Sequence, residues 1–289
     1  MQQWLRREWA RVALLCVLAI LCLLVAQAPY EHSGRLVVSL LNVGQGESLF
    51  IQTPSGRQVL IDGGPDASVL EELGVVMPLG DRTIDLVVLT HAHSDHVSGL
   101  VHVLDRYAAS GILETGAPYT TKVYSAWRDA VANEGVTTIQ ALPGRRITLD
   151  KDTTLTVIAP NSARAIAEKN PNNASVVLML QHGAVRMLLT GDMEAPVEQR
   201  LLSQGADVDA DILKVGHQGS RTSTTLPFLM QVSPRIGVMS VGAGNTYGHP
   251  HRVVTERLAN LGIPYYRTDV DGRITIESDG TSFAVRAHK

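Results

Sequence analysis

Past residue 22 the chain has no cysteine, and Cys16 and Cys22 are the only two among its 289 residues. That excludes a disulfide framework and a thiolate zinc site in everything downstream. Neither is a lipidated cysteine, since Leu15 and Leu21 stand where a small residue is needed. Basic charge is scarce as well: Lys and Arg total 25 against 28 Asp and Glu, for a net charge of −3. No broad cationic surface is implied, so nucleic-acid binding would need a local basic groove. There is no repeat at a fixed period and no low-complexity linker. What is present is 45% apolar content, few aromatics, 25 glycines and 13 prolines. This is a turn-rich globular chain, long enough for one large domain or two small ones.

One apolar run stands apart from that domain. Arg6, Arg7 and Arg11 precede an uncharged stretch from Val12 to Ala26, a positive n-region followed by an h-region. Ala26-Gln27-Ala28 has the small-x-small form of a cleavage site, but Pro29 directly after it disfavours cutting. Counted from Ala10 to Ala28, with Arg11 snorkelling, the segment is just long enough to span a membrane. The expectation is an uncleaved signal anchor over residues 10–28, with a cleaved signal peptide as the alternative. Residues 1–34 are then leader and linker, and 35–289 the domain. The arginines keep the N-terminus cytoplasmic and place the domain on the extracytoplasmic side. It is membrane-anchored there, or secreted or periplasmic if the segment is cut.

The rest is organised around Leu86-Val87-Val88-Leu89-Thr90-His91-Ala92-His93-Ser94-Asp95-His96-Val97-Ser98-Gly99-Leu100. A short apolar run of the buried-strand kind ends in three histidines and an aspartate, and Val97, Leu100, Val101 and Leu104 follow at helical spacing. A strand-to-helix turn of this kind gathers imidazoles and a carboxylate on the rim of a sheet. Imidazole suits Zn, Fe and Mn, and the carboxylate favours a second, harder ion. A polar loop with solvated histidines explains one of these residues; it does not explain four ligand types in His-x-His-x-Asp-His order.

Strands are expected at Leu36–Leu41, Ser48–Gln52, Val59–Ile61 and Ile84–Leu89, then at Thr137–Leu142 and Thr153–Ile158. A small helix begins at Leu70, another covers Tyr119–Asn133, and Asn161 is a plausible cap for a short one through Ala167. The second half repeats the rhythm. Ser175–Leu180 and Val185–Leu189 flank Gln181-His182-Gly183, where His182 is expected as a surface turn residue. Thr190-Gly191-Asp192-Met193-Glu194 then ends a strand before a helix. Further strands fall at Asp211–Val215, Ile236–Val241, Tyr265–Thr268, Arg273–Ile276 and Phe283–Arg286, with a helix at Val253–Leu261. Two strand-rich halves with interspersed helices imply two sheets packed face to face, helices outside. Asp62, Asp192, His217 and His249 all sit at strand ends. Singly each has a structural explanation as a turn, cap or core residue; beside the histidine cluster they form a set of ligand types on one edge.

The motifs Asn42-Val43-Gly44-Gln45-Gly46, Leu60-Ile61-Asp62-Gly63-Gly64, Thr90–His96, Leu188–Asp192, Leu213–His217, Tyr247–Pro250 and Thr268-Asp269 together resemble the metallo-β-lactamase-fold hydrolases. Within them the chain resembles the extracytoplasmic hydrolase domain of ComEC-type competence DNA-uptake proteins, without their polytopic channel. The resemblance implies an α/β fold, an αββα four-layer sandwich, with two divalent metal ions (Zn or Mn) on its rim. His91 and His93 would hold one ion; Asp95, His96 and His217 the other; Asp192 would bridge them, with Asp62 in support. Paired cations lower the pKa of a shared water so that hydroxide exists near neutral pH, and they clamp the oxygens of a phosphoryl or acyl centre. Asp95 would help orient that hydroxide, and His249, or else His251, would give a proton to the leaving group or hold a phosphate oxygen.

Two departures from the family pattern matter. The loop Asn170-Pro171-Asn172-Asn173-Ala174-Ser175 lacks the histidine that usually completes the first metal site, leaving Asn173 there and a weaker first site. Gln218 stands where relatives often carry a second histidine. The resemblance implies a metal-dependent extracytoplasmic phosphodiesterase or nuclease acting on DNA, with a membrane channel as a candidate partner. A hydrolase of small cell-envelope phosphodiesters is the second enzyme reading, and a metal-stabilised, non-catalytic binding module of an uptake machine is the third.

Overall fold

Strands whose two faces are both covered read as unbroken apolar runs, because each alternate side chain meets a different core. The computed structural model describes residue 9 and residues 11–18, 34–160 and 162–289, and the strands at the middle of its two large sheets are of this kind. An eight-stranded sheet runs in the order β17 (Phe283–His288), β16 (Arg273–Ser278), β1 (Leu36–Leu40), β2 (Leu49–Gln52), β3 (Gln58–Ile61), β5 (Leu86–Val88), β7 (Ile112–Glu114), β8 (Thr138–Gln140). A seven-stranded sheet runs β15 (Tyr265–Arg267), β14 (Ile236–Met239), β13 (Ile212–Lys214), β12 (Val185–Leu189), β11 (Val177–His182), β10 (Thr153–Ala159), β9 (Arg146–Thr148). The short strands β4 (Thr83–Ile84) and β6 (Ala108–Ala109) pair separately.

Three apolar layers define the sandwich. Val59 and Ile61 of β3, Leu86 and Val88 of β5, and Met187 and Leu189 of β12 share one core between the sheets. Leu60 and Val87 point the other way, against helices α1 (Ser68–Val76), α2 (Ser94–Leu104) and α3 (Lys122–Glu134) through Leu73, Leu100 and Trp127. Leu188 and Leu213 face the helices of the second sheet, α5 (Ala195–Ser203), α6 (Leu226–Val232) and α7 (Arg252–Asn260), following the short α4 (Ser162–Ala167). The chain therefore has the αββα layering expected from its two strand-rich halves.

Several expectations are corrected. The last two strands do not extend the second sheet; β16 pairs antiparallel with β1 of the first. Strands β7 and β9 and helix α6 escaped the sequence reading because each is only three to seven residues long, too short for a period to register. His182 is no surface residue: it ends β11 buried, its Nδ1 3.2 Å from Ser278 Oγ. The cap expected at Asn161 lies outside the described residues, as does most of the segment expected to span a membrane at 10–28. Residues 11–18 are helical, and among the described residues no helix is long and apolar enough to cross a membrane.

Strands β3, β5, β7 and β8 run parallel, as do β12, β13, β14 and β15. Their C-terminal ends therefore gather on shared edges, and the loops beyond them carry the ligand-type residues. The junction is tight. Gly63 N–H donates to His96 O at 2.7 Å and Gly99 N–H to Gly64 O at 3.1 Å, and a Cβ on Gly99 would sit 1.8 Å from Gly63 O. Gly99→Ala is expected to push α2 off the loop that carries Asp62 and destabilise the fold by about 1–3 kcal/mol, read as a lowered melting temperature.

Candidate metal centre

Asp62 follows β3 with φ of 58°, a left-handed turn that aspartate tolerates better than most residues. The turn points its carboxylate back into the protein. Oδ1 accepts from Thr90 N–H at 2.8 Å, and Oδ2 accepts from Thr90 Oγ1 at 2.6 Å and from His96 Nδ1 at 2.7 Å. With Thr90 Oγ1 donating to Asp62, that oxygen can accept from His91 Nδ1, 3.1 Å away. The network thus assigns the proton to Nδ1 in both His91 and His96 and leaves each Nε2 facing inward. Asp62 thereby holds Thr90 and His96 in place from behind the cluster.

The inward nitrogens converge on Asp192. His96 Nε2 lies 3.2 Å from Asp192 Oδ2, and His217 Nε2 lies 3.6 Å from the same oxygen. His91 Nε2 is 3.1 Å from His93 Nδ1. Ligand atoms of His91, His96 and Asp192 lie within 4.8 Å of one another, all three residues buried. Asp192 Oδ1 is buried with no hydrogen-bond partner among the described residues. Lys214 Nζ lies 3.8 Å from that oxygen, and Oδ2 faces the imidazoles; a buried carboxylate ringed by imidazole nitrogens is a donor set that fits a divalent metal. His217 is held in the left-handed region at φ of 47°, and its Nδ1 lies 3.4 Å from Glu194 Oε1. That is the carboxylate–histidine arrangement that orients a metal-ligating ring.

The electrostatics agree. Burial holds His91 well below the usual imidazole range, and His96 adds to this; burial also lowers His93. Both are therefore neutral, the form that ligates metals. Burial works against a charged His96, but Asp192, Asp62 and Asp95 outweigh it and hold its pKa well above 6.5. Burial likewise opposes ionisation of Asp192, yet His96, Lys214 and His91 hold it well below the carboxylate range. In the metal-free site the charged His96 ring is thus the cation held between Asp192 and Asp62.

Asp95 stands at the start of α2, 3.8 Å from His96 Nε2. It is aimed by a chain of amides: Gly242 N–H donates to Gln45 Oε1 at 2.9 Å, Gln45 Nε2 donates to Gln218 Oε1, and Gln218 Nε2 donates to Asp95 Oδ2 at 2.8 Å. Gln218, the apparent departure from the family pattern, thus fixes a ligand-type carboxylate. Gln218→Ala is expected to lower hydrolysis or metal affinity about 10–100-fold while leaving the melting curve in place.

A cleft of about 300 Å³ opens over the cluster, lined by Gln45, His93, Asp95, Asp192, His217 and His249 among others. His249 is bracketed by Asn245, which accepts from its N–H at 3.0 Å and donates to its carbonyl at 2.8 Å. Burial, with His217 and His251 beside it, pushes His249 down to about 4, so its ring is neutral at pH 7 and suits hydrogen bonding better than proton release. His251 instead accepts from Arg221 N–H at 3.2 Å and does not line the cleft. Asn173 accepts from Glu194 N–H at 3.3 Å, and Asn172 Nδ2 reaches to 3.5 Å from His217 Nδ1.

The sequence reading missed Glu194, Asn172, Gln45 and a buried ion pair. Lys214, at the end of β13, and Glu47, in the β1–β2 loop, are both fully buried and bonded to each other, and Lys214 Nζ lies 3.8 Å from Asp192 Oδ1. A lysine closing an apolar strand was the available signal, since lysine is almost never fully buried unless paired.

The family comparison can be set against this geometry. The sequence profile of the Metallo-beta-lactamase superfamily matches residues 41–243. The chain is 32% identical to ComE operon protein 3 of Bacillus subtilis over 82% of its own length, and 30% identical to Competence protein ComA of Neisseria gonorrhoeae over 83%. It spans about a third of the length of each (32%). In structure it is similar to the metallo-beta-lactamase fold protein YhfI from Bacillus subtilis, with a TM-score of 0.50 at 12% identity over 80% of this chain and 96% of that one. Fold, order of motifs and relatives agree: the chain belongs to the metallo-beta-lactamase superfamily, with homologues among the competence proteins.

Proposed function

We propose that this protein is a metal-dependent phosphodiesterase that cleaves DNA. The observation that carries the reading is the buried carboxylate of Asp192, whose Oδ2 faces the inward nitrogens of His96 and His217 and whose Oδ1 makes no hydrogen bond among the described residues, in one cluster with His91. In this reading His91 and His93 hold one ion, Zn or Mn, and Asp95, His96 and His217 hold a second, with Asp192 shared. Without a histidine in the loop before β11, the first site is the weaker. Bound divalent ions supply an acidified water and charge to clamp phosphoryl oxygens. The chain's own residues do the rest. Asp95, held by Gln218, orients the attacking water, and the neutral His249 ring donates a hydrogen bond to a phosphate oxygen.

The competence relatives support DNA as substrate, with a membrane channel as partner. The arginines before the apolar run support an extracytoplasmic placement. The net charge of −3 favours the second reading, a small envelope phosphodiester. Incubating the full chain with end-labelled single-stranded DNA, with Mn²⁺ or Zn²⁺ and then with chelator, separates these readings. Metal-dependent cleavage is expected. Metal uptake with no cleavage of DNA would move the substrate to a small diester, and no turnover of either would leave a binding module.

A further inference from the structure

A second opening lies where β7 and β8 end, beside the metal centre. It is a cleft of about 480 Å³ lined by Glu114, Pro118, Tyr119, Tyr124, Arg128 and Gln140 among others, a volume usual for a small-molecule site. Its wall nearest the cluster is Tyr119, whose ring meets His93 edge-on at 6.3 Å and Tyr124 at 5.8 Å. Behind that wall a smaller hollow is lined by His91 and Ala92 together with both tyrosines. His93 also lines the cleft that holds His217 and His249. The ligand-type residues thus stand between two openings, as a site that cuts inside a chain molecule requires.

The second cleft is lined by aromatic rings and by one guanidinium, that of Arg128, paired with the Glu114 carboxylate. Glu114 is buried, but Trp127 Nε1 donates to its Oε2 at 3.0 Å and Arg128 Nη1 to its Oε1, so the carboxylate is satisfied and neutralised. The Arg128 side chain stays 50% exposed, with guanidinium donors beyond the one it gives to Glu114. Tyr119 Oη is buried with no hydrogen-bond partner among the described residues. A tyrosine pair alone would suit a quaternary ammonium group, but the Arg128 cation disfavours one. A flat π-system carrying an anionic group satisfies both features.

We infer that this cleft seats an unpaired nucleotide next to the scissile phosphodiester, its base stacked on Tyr119 and its phosphate facing Arg128. The inference rests on the phosphodiesterase reading of the metal centre and adds to it a preference for single strands. A base paired in a duplex cannot enter the cleft, whereas stacking accepts any unpaired base.

The test uses the full chain loaded with Mn²⁺. Binding of a fluorescent oligothymidylate is read by anisotropy, and hydrolysis is compared between that oligonucleotide and bis(p-nitrophenyl) phosphate, a diester without a base. Tyr119→Ala should weaken oligonucleotide binding about tenfold or more, and Tyr119→Phe, which keeps the π-face, should retain it. Thr138→Trp, which fills the cleft from the exposed end of β8, should weaken binding without touching Tyr119. In the two weakened variants the ratio of oligonucleotide to small-diester kcat/KM should fall by a similar factor, mainly through KM. Unchanged binding in Tyr119→Ala, equal losses for Phe and Ala, or parallel losses on both substrates would each overturn the inference. Failure of the underlying reading looks different: the unsubstituted protein would hydrolyse neither diester, while anisotropy would still decide whether the cleft holds a nucleotide.

Discussion

Asp192→Ala is expected to abolish metal-dependent hydrolysis, a loss of about 10³-fold or more. The size follows from position. Asp192 is the one carboxylate that both His96 and His217 face, at 3.2 and 3.6 Å, and its second oxygen is buried without a hydrogen bond among the described residues, 3.8 Å from Lys214 Nζ. Its removal takes away the shared ligand of both proposed ions and leaves the cationic His96 with Asp62 as its one close counter-charge, at 2.7 Å. Asp192→Asn separates charge from shape: it keeps one oxygen in place but loses the anion, so metal affinity should fall nearly as far. Initial rates on a small phosphodiester and bound metal measured together check this. Near-normal turnover in Asp192→Ala would place the chemistry elsewhere.

Lys214→Met carries the largest expected effect on stability. Lys214 and Glu47 are both buried and bonded to each other, and Lys214 Nζ also donates to Gly191 O at 3.1 Å. Losing the lysine strands a carboxylate between the sheets, at a cost of about 3–5 kcal/mol. That corresponds to a fall in melting temperature on the order of 10 °C. Glu47→Gln combined with Lys214→Met should recover most of it, because a missing pair costs far less than half a pair.

The pair also has a pH signature. Burial raises Glu47 from 4.5 to about 7, with Lys214 and His96 opposing. A carboxyl raised in the folded state binds its proton more tightly there. Its contribution to stability is therefore complete below about 4.5 and is lost as pH rises through about 7. Removing Lys214 raises that carboxyl further, so Lys214→Met should destabilise less at pH 5 than at pH 8, while Glu47→Gln should lack this component. Melts of the chelated protein at the two pH values read the difference directly.

The parts of this protein legible in its sequence were those with a short-range signature. The β5 run ending in His91-Ala92-His93-Ser94-Asp95-His96 announced strand, turn, helix and cluster at once, because every determinant lies within fifteen residues. Asp62, Asp192 and His217 were legible as strand-end residues, since parallel strands deliver their ends to shared edges. The αββα layering followed from two strand-rich halves. What escaped depends on contacts across the sandwich. Glu47 meets Lys214 at a separation of 167 residues, and Gln45 meets Gln218 at 173. The return of β16 to pair with β1 is equally non-local, and neither periodicity nor turn chemistry encodes such a partner. Asn173, the residue the sequence points to in its loop, holds Glu194, whereas the amide that approaches His217 belongs to its neighbour Asn172. In a tight 3₁₀ turn one residue of register decides which way a side chain points.

The most direct test of the central claim is to count the ions. Dialysing the purified protein against chelator and titrating it with Zn²⁺ or Mn²⁺, with bound metal and released protons measured together, should give two ions per chain. The tighter one should displace the proton held by His96. The weaker one should disappear in His91→Ala while the tighter remains. No binding above background, or binding unaffected by His96→Ala, would mean that this cluster of histidines and aspartates is not a metal centre.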